Sequence, residues 1–127
     1  NFLFLPYQDK KDIPYSMTAC DMSLVSVSEG MESLVAPSKL YPALAAGRPI
    51  AVVCPEGTYL EELVEKSNCG FTCKNGNSKA LANFLRTLAN NDSLVQQIGF
   101  YSRQKIKSDF NPDVISNQYL RVLKAML

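Results

Sequence analysis

The 127 residues suit one domain, and the composition, 46% hydrophobic and 20% charged, is that of a globular chain, not a disordered one. A formal net charge of +1, from 13 basic and 12 acidic residues, gives no bulk field for a nucleic-acid partner. Histidine is absent, which excludes Ser-His-Asp and Cys-His catalysis within the chain.

The elements follow in chain order. Phe2 to Leu5 reads as a short buried strand stopped by Pro6. Asp12 is placed to cap a helix running to about Cys20, with Pro14 in its first turn. Met22 to Val27 is a second strand, and Ser28 to Ala36 a loop. A helix is expected over Pro37 to Ala46, with Pro42 tolerated in the first turn, which places its usable start near Ser38 to Tyr41 with Ser38 as cap, and Gly47 closing it. The β-branched run Ile50 to Cys54 suits a parallel strand covered on both faces. A helix over Tyr59 to Ser67, a strand over Phe71 to Cys73 and a turn at Asn75-Gly76-Asn77 come next. Three helices complete the chain. The first covers Ser78 to Asn90, and the second is capped by Asp92 or Ser93. The third begins at Asn111-Pro112, with Ile115, Tyr119, Val122, Leu123 and Met126 expected to face inward.

Strands alternating with helices imply an α/β fold: a Rossmann-like open parallel sheet of about four strands with flanking helices, forming one domain over 1–127. Ligands bind such sheets beyond the carboxyl ends of the strands, which directs attention to the loops after Val27 and Cys54. Neither GxGxxG nor GxxxxGK[ST] occurs. Cys69 and Cys73 have no histidine or second pair to complete a metal site, so no metal is expected. The segment Ser28 to Gly47 remains. Its glycine-containing loop enters a helix start, where backbone N–H groups favour an anion. Lys39 at that start opposes the helix dipole, and a bound phosphate would reverse the sign; a lysine snorkelling into water explains it equally well. Arg48 follows Gly47 at a helix C-terminus, where a cation is favoured, and reads as structural.

The stretch PSKLYPALAAGRPIAVV resembles the nucleotide-binding segment of group 1 glycosyltransferases, retaining enzymes of the GT-B fold, and in particular those that build bacterial exopolysaccharides, O-antigens and colanic acid. Downstream, Glu62-Leu63-Val64 with Gly70, Asn77 to Leu88, Gly99 to Arg103 and Phe110-Asn111 match the family's later marks in order. The resemblance implies the C-terminal, donor-binding lobe of a hexosyltransferase-type enzyme in polysaccharide biosynthesis. Its substrate is a nucleotide-diphosphate sugar, UDP- or GDP-linked, used without a metal. The sugar goes, with retention, to a growing glycan or lipid-linked acceptor held by an N-terminal lobe.

By position, Gly30, Pro37, Ser38, Lys39 and Leu40 border the nucleotide and diphosphate, and the Ser28 to Ala36 loop approaches the sugar. The family's two acidic positions carry Leu34 and Pro42 here; Glu29 and Glu32 lie in the right loop but out of register, as substitutes or as solvated loop charges. A degenerate, non-catalytic nucleotide-binding module is the alternative. The chain opens on a strand pattern without an initiator methionine, so it is expected to start partway through a larger protein and to be inactive alone. The expected compartment is the cytoplasm, given the cysteine usage and the lack of a signal-peptide pattern or a bilayer-length apolar run. After Phe100, five basic residues face two acidic ones, which reads as solvated helix faces or a weak attraction to anionic lipid at the membrane's inner surface.

Overall fold

The run Ile50–Val53 forms the middle strand of the sheet, as a β-branched segment with no polar face must. The structure, a computed structural model, describes residues 3–126. In chain order the elements are α1 (Ile13–Thr18), β1 (Ser23–Ser26), α2 (Leu40–Ala46), β2 (Ile50–Val53), α3 (Tyr59–Ser67), β3 (Gly70–Cys73), α4 (Ser78–Ala89), α5 (Asp92–Asp109) and α6 (Pro112–Ala125). The three strands lie in the order β1-β2-β3, all parallel, with Val25 beside Val52 and Ala51 beside Phe71. This is the α/β open sheet that the alternation of elements implies.

Side chains alternate across a strand, so the register sorts them into two faces. One face carries Val25, Ile50 and Val52 against Leu40, Ala43 and Leu44 of α2 and Leu60 and Val64 of α3. Full burial of Leu40, Leu44, Ile50 and Leu60 contributes roughly 1.5–3 kcal/mol each. The other face aligns Leu24, Ala51 and Phe71. There Phe71 stacks on Phe84 of α4, ring centroids 4.9 Å apart, whereas Leu24 stays 51% exposed.

Helix α5 passes the amino ends of β2 and β3. The buried Ser102 hydroxyl sits 3.0 Å from the Arg48 carbonyl and 3.1 Å from that of Cys69, and Arg103 donates to the Ala45 carbonyl. Arg48 itself donates through Nη2 to the carbonyl of Thr18, the last residue of α1, at 2.7 Å. The arginine thus serves a structural role, but at the C-terminus of α1 and not at that of α2, the helix it follows in sequence.

Several expectations are corrected, among them the cap of α5, which is Asn91, its side chain accepting from the Leu94 N–H at 3.0 Å, and not Asp92 or Ser93. No strand forms over Leu3 to Leu5, which are exposed (Leu3 82%, Phe4 92%), while Phe2 lies outside the described residues. Three strands therefore make up the sheet among the described residues. Helix α2 begins at Leu40, within the Ser38 to Tyr41 start that Pro42 implies, and Pro37 to Lys39 form a turn closed by the Leu40 N–H on the Pro37 carbonyl at 3.0 Å. Lys39, not Ser38, occupies its N-cap position, and no side chain caps it. The apolar stripe of α6 does not face a core: the helix buries none of its described residues, and Tyr119 is 70% exposed.

Candidate ligand edge of the sheet

Three loops leave the carboxyl ends of the strands: Ser28 to Lys39 after β1, Pro55 to Thr58 after β2, and Lys74 to Asn77 after β3. The second is self-contained. Thr58 caps α3, its Oγ1 accepting from the Glu61 N–H and donating to the Cys54 thiol, both at 3.3 Å. Glu61 reaches back to the Gly57 N–H at 2.6 Å, a variant of the capping box. The third loop is a four-residue turn closed by the Asn77 N–H on the Lys74 carbonyl, with Gly76 at φ 80°, the left-handed value that position i+2 of a type II turn requires. Lys74 pairs with Glu56 at 2.5 Å, and the Asn75 side-chain amide donates to the Val27 carbonyl at 2.9 Å, so this turn holds both other strand ends.

The first loop holds the residues that the sequence singles out. It folds on itself through the Met31 N–H on the Ser28 carbonyl and the Leu34 and Val35 N–H groups on the Met31 carbonyl. Gly30 is exposed at φ 80°, which suits glycine alone among common residues. Glu29 is exposed; Glu32 is half-buried, and its Oε2 is a buried atom with no hydrogen-bond partner. Pro37 is half-buried, and Ser38 and Lys39 are exposed side by side before α2. Leu40 differs from the other four: its side chain is fully buried in the core and its N–H is spent on Pro37, so it holds the loop's end rather than offering a group to a ligand.

Two features bear on anion binding here. Helix α2 has seven residues, about two turns, which limits its dipole. Aromatic side chains flank the same end. Tyr41 meets Phe110 edge-to-face at 5.2 Å, and Tyr59 has its phenol pKa raised by desolvation and then by its neighbour Tyr41.

A cavity of about 750 Å³ lies at the other end of the sheet, lined by Asp21, Met22, Arg48, Leu88 and Asp92 among others. Its arginine is committed to Thr18, and it opens at the amino ends of the strands, where parallel sheets do not gather ligands. The edge formed by the three carboxyl-end loops is therefore the candidate site. Sequence reasoning missed Asn75 as more than a turn residue; the signal available was an asparagine directly before the glycine of that turn.

The chain is 25% identical over 123 residues to the probable glycosyltransferase WbjE of Pseudomonas aeruginosa, a match covering 97% of this chain and 30% of that protein. It is 29% identical over 104 residues to the amylovoran biosynthesis glycosyltransferase AmsK of Erwinia amylovora, covering 82% of this chain and 25% of that protein. The chain thus spans less than a third of the curated relatives it matches. No family model and no solved structure matches it. No described helix is long and apolar enough to cross a membrane.

Proposed function

We propose that this chain is the donor-binding part of a retaining glycosyltransferase of the two-lobed GT-B type, and that the full protein transfers a sugar from a nucleotide diphosphate to a growing glycan or lipid-linked acceptor. The observation that carries the reading is sequence similarity along 97% of the chain to a protein named as a glycosyltransferase. The exposed Ser38 and Lys39 at the ligand edge agree with it.

In this reading the diphosphate lies against the turn before α2. The Lys39 ammonium opposes the charge that grows on the departing diphosphate, and the Ser38 hydroxyl donates to a phosphate oxygen. The Ser28 to Ala36 loop borders the sugar, with Glu29 and Glu32 as the acids within reach. The base is uracil or guanine, no metal takes part, and the acceptor is held by polypeptide outside these 127 residues, so the chain alone does not turn over. Leu34 and Pro42, where the family often has acids, favour a second reading in which the lobe still binds a nucleotide but has lost transfer chemistry.

Calorimetric titration with UDP, GDP and ADP, alongside Lys39→Ala, tests the proposal. Binding of one nucleotide, weakened about tenfold by the substitution, is expected for a charge-assisted contact to phosphate. Absence of binding to all three at millimolar concentration, both by this chain and by the full-length protein, would remove the donor-site reading.

A further inference from the structure

We propose that Asn75 is a positioning residue for the ligand loop after β1, standing in for a backbone donor that Pro55 removes. In a parallel ladder a residue's N–H and C=O both point to the neighbouring strand, the carbonyl accepting from the residue one beyond its partner. The register pairs Val25 with Val52 and Ser26 with Val53, which brings Val27 opposite Cys54. The Val27 N–H fits this pattern, donating to the Val53 carbonyl at 2.9 Å. Its carbonyl should then accept from residue 55, which is proline and has no N–H.

The vacancy is filled from across the sheet. Asn75 Nδ2 donates to the Val27 carbonyl at 2.9 Å, from the turn after β3, 48 residues away in sequence. That turn is held from its other side by the Lys74–Glu56 pair. Val27 directly follows β1 and its carbonyl is the last group before Ser28, so this contact fixes the direction in which the loop carrying Glu29, Gly30 and Glu32 leaves the sheet. Asn75 Oδ1 is itself a buried atom with no partner. An unpaired buried acceptor is destabilising, but an apolar residue here would leave the Val27 carbonyl unpaired in its place. Retaining the amide makes sense if its donor sets the loop.

What the loop is for rests on the donor-site reading; the contact does not. The test therefore has two readouts on Asn75→Leu, which removes donor and acceptor, and Asn75→Asp, which keeps Oδ1 and loses the donor. Hydrogen exchange at the Met31, Leu34 and Val35 amides reports on the loop, and nucleotide titration reports on its use. In both variants exchange at these amides should rise about tenfold, the loss expected for one hydrogen bond. Exchange at 50–53 should stay unchanged, and nucleotide binding should weaken about tenfold. Adding Pro55→Ala to Asn75→Leu returns an N–H to position 55 and should restore both readouts.

The proposal is overturned by unchanged loop exchange, by faster exchange throughout the sheet, by unaltered affinity despite a loosened loop, or by failure of Pro55→Ala to rescue. If neither the unsubstituted chain nor the full-length protein binds nucleotide, the donor-site reading falls, and loop exchange with its rescue decides the role of Asn75 by itself.

Discussion

The backbones of Gly47 and Gly99 touch: a methyl group added to Gly99 would stand 2.2 Å from the Gly47 carbonyl oxygen. Gly47 ends α2 in the left-handed conformation at φ 67°, and α5 crosses directly over it. The two glycines are needed for different reasons. Gly99→Ala must push backbone from backbone and should cost about 3 kcal/mol, the upper range for overpacking. At Gly47 an added methyl meets only ordinary contacts, at 3.5 Å and beyond, so Gly47→Ala should cost about 1–2 kcal/mol, from conformation alone. Urea unfolding of both variants checks the order; equal losses would contradict it.

Ser102 tests the same crossing by chemistry. Its buried hydroxyl has one proton and lies within 3.2 Å of the carbonyls of Arg48, Cys69 and Ile98. The Cys69 carbonyl already accepts from the Ile50 N–H at 3.1 Å, so the loss from Ser102→Ala falls on Arg48. A destabilisation of about 1 kcal/mol is expected, and Ser102→Val should cost more because the site has no room. Thermal unfolding of the two variants measures it.

Cys69 should give stability an alkaline limit. Burial raises its thiol pKa from the ordinary 9.0 to about 11. Between those values the unfolded chain has released a proton that the folded chain retains, so rising pH favours unfolding. Stability should be fully present below about pH 9 and fall as pH rises toward 11. In Cys69→Ala that decline should flatten. Denaturant midpoints across the range settle the point. The same burial should protect Cys69 and Cys54 from thiol reagents in the native chain, while the half-buried Cys20 and Cys73 react.

Asp109 works in the opposite direction. Its carboxyl pKa is lowered by hydrogen bonds from Lys105 and from Ser108, at 2.5 Å each. Its contribution is present above the carboxylate's ordinary value and is lost as pH falls through the lowered one. Asp109→Asn should therefore be slightly less stable near neutrality and should narrow its deficit in acid. A deficit that widens in acid would reverse this assignment.

The exposed stripe of α6 predicts tolerance. Val122→Lys and Leu123→Lys should each change stability by under about 0.5 kcal/mol, as surface substitutions do. A loss several times larger, in urea titration, would show that these side chains are packed after all.

What the sequence reveals here depends on how local the cause is. The bounds Tyr59–Ser67 of α3 were legible because a threonine cap and a left-handed Asn68 act within a few residues. So was β2, whose β-branched run carries its burial on every position but the last. The segment Leu3 to Leu5 and the helix α6 were misread for one reason. Apolar spacing shows which side chains gain from burial, but not whether another element lies there to bury them. At the ligand edge, the start of α2 near Ser38 to Tyr41 followed from Pro42, which fits only a first turn. The burial of Leu40 did not, because a motif does not separate side chains facing a ligand from those facing the core. The role of Asn75 needs more than its own turn: it depends on a missing donor at Pro55, one strand and 20 residues away.

The sheet stops at β1 on one side, among the described residues, with Leu24 half out of the solvent-excluded layer and one rank of its peptide groups unpaired. Such a rim is adhesive. Two copies related by a two-fold axis would join rim to rim as antiparallel neighbours, merging their sheets into one. In concentrated solution this chain should therefore self-associate, and light scattering that rises with concentration, then falls when lysine replaces Leu24, would trace the stickiness to that rim.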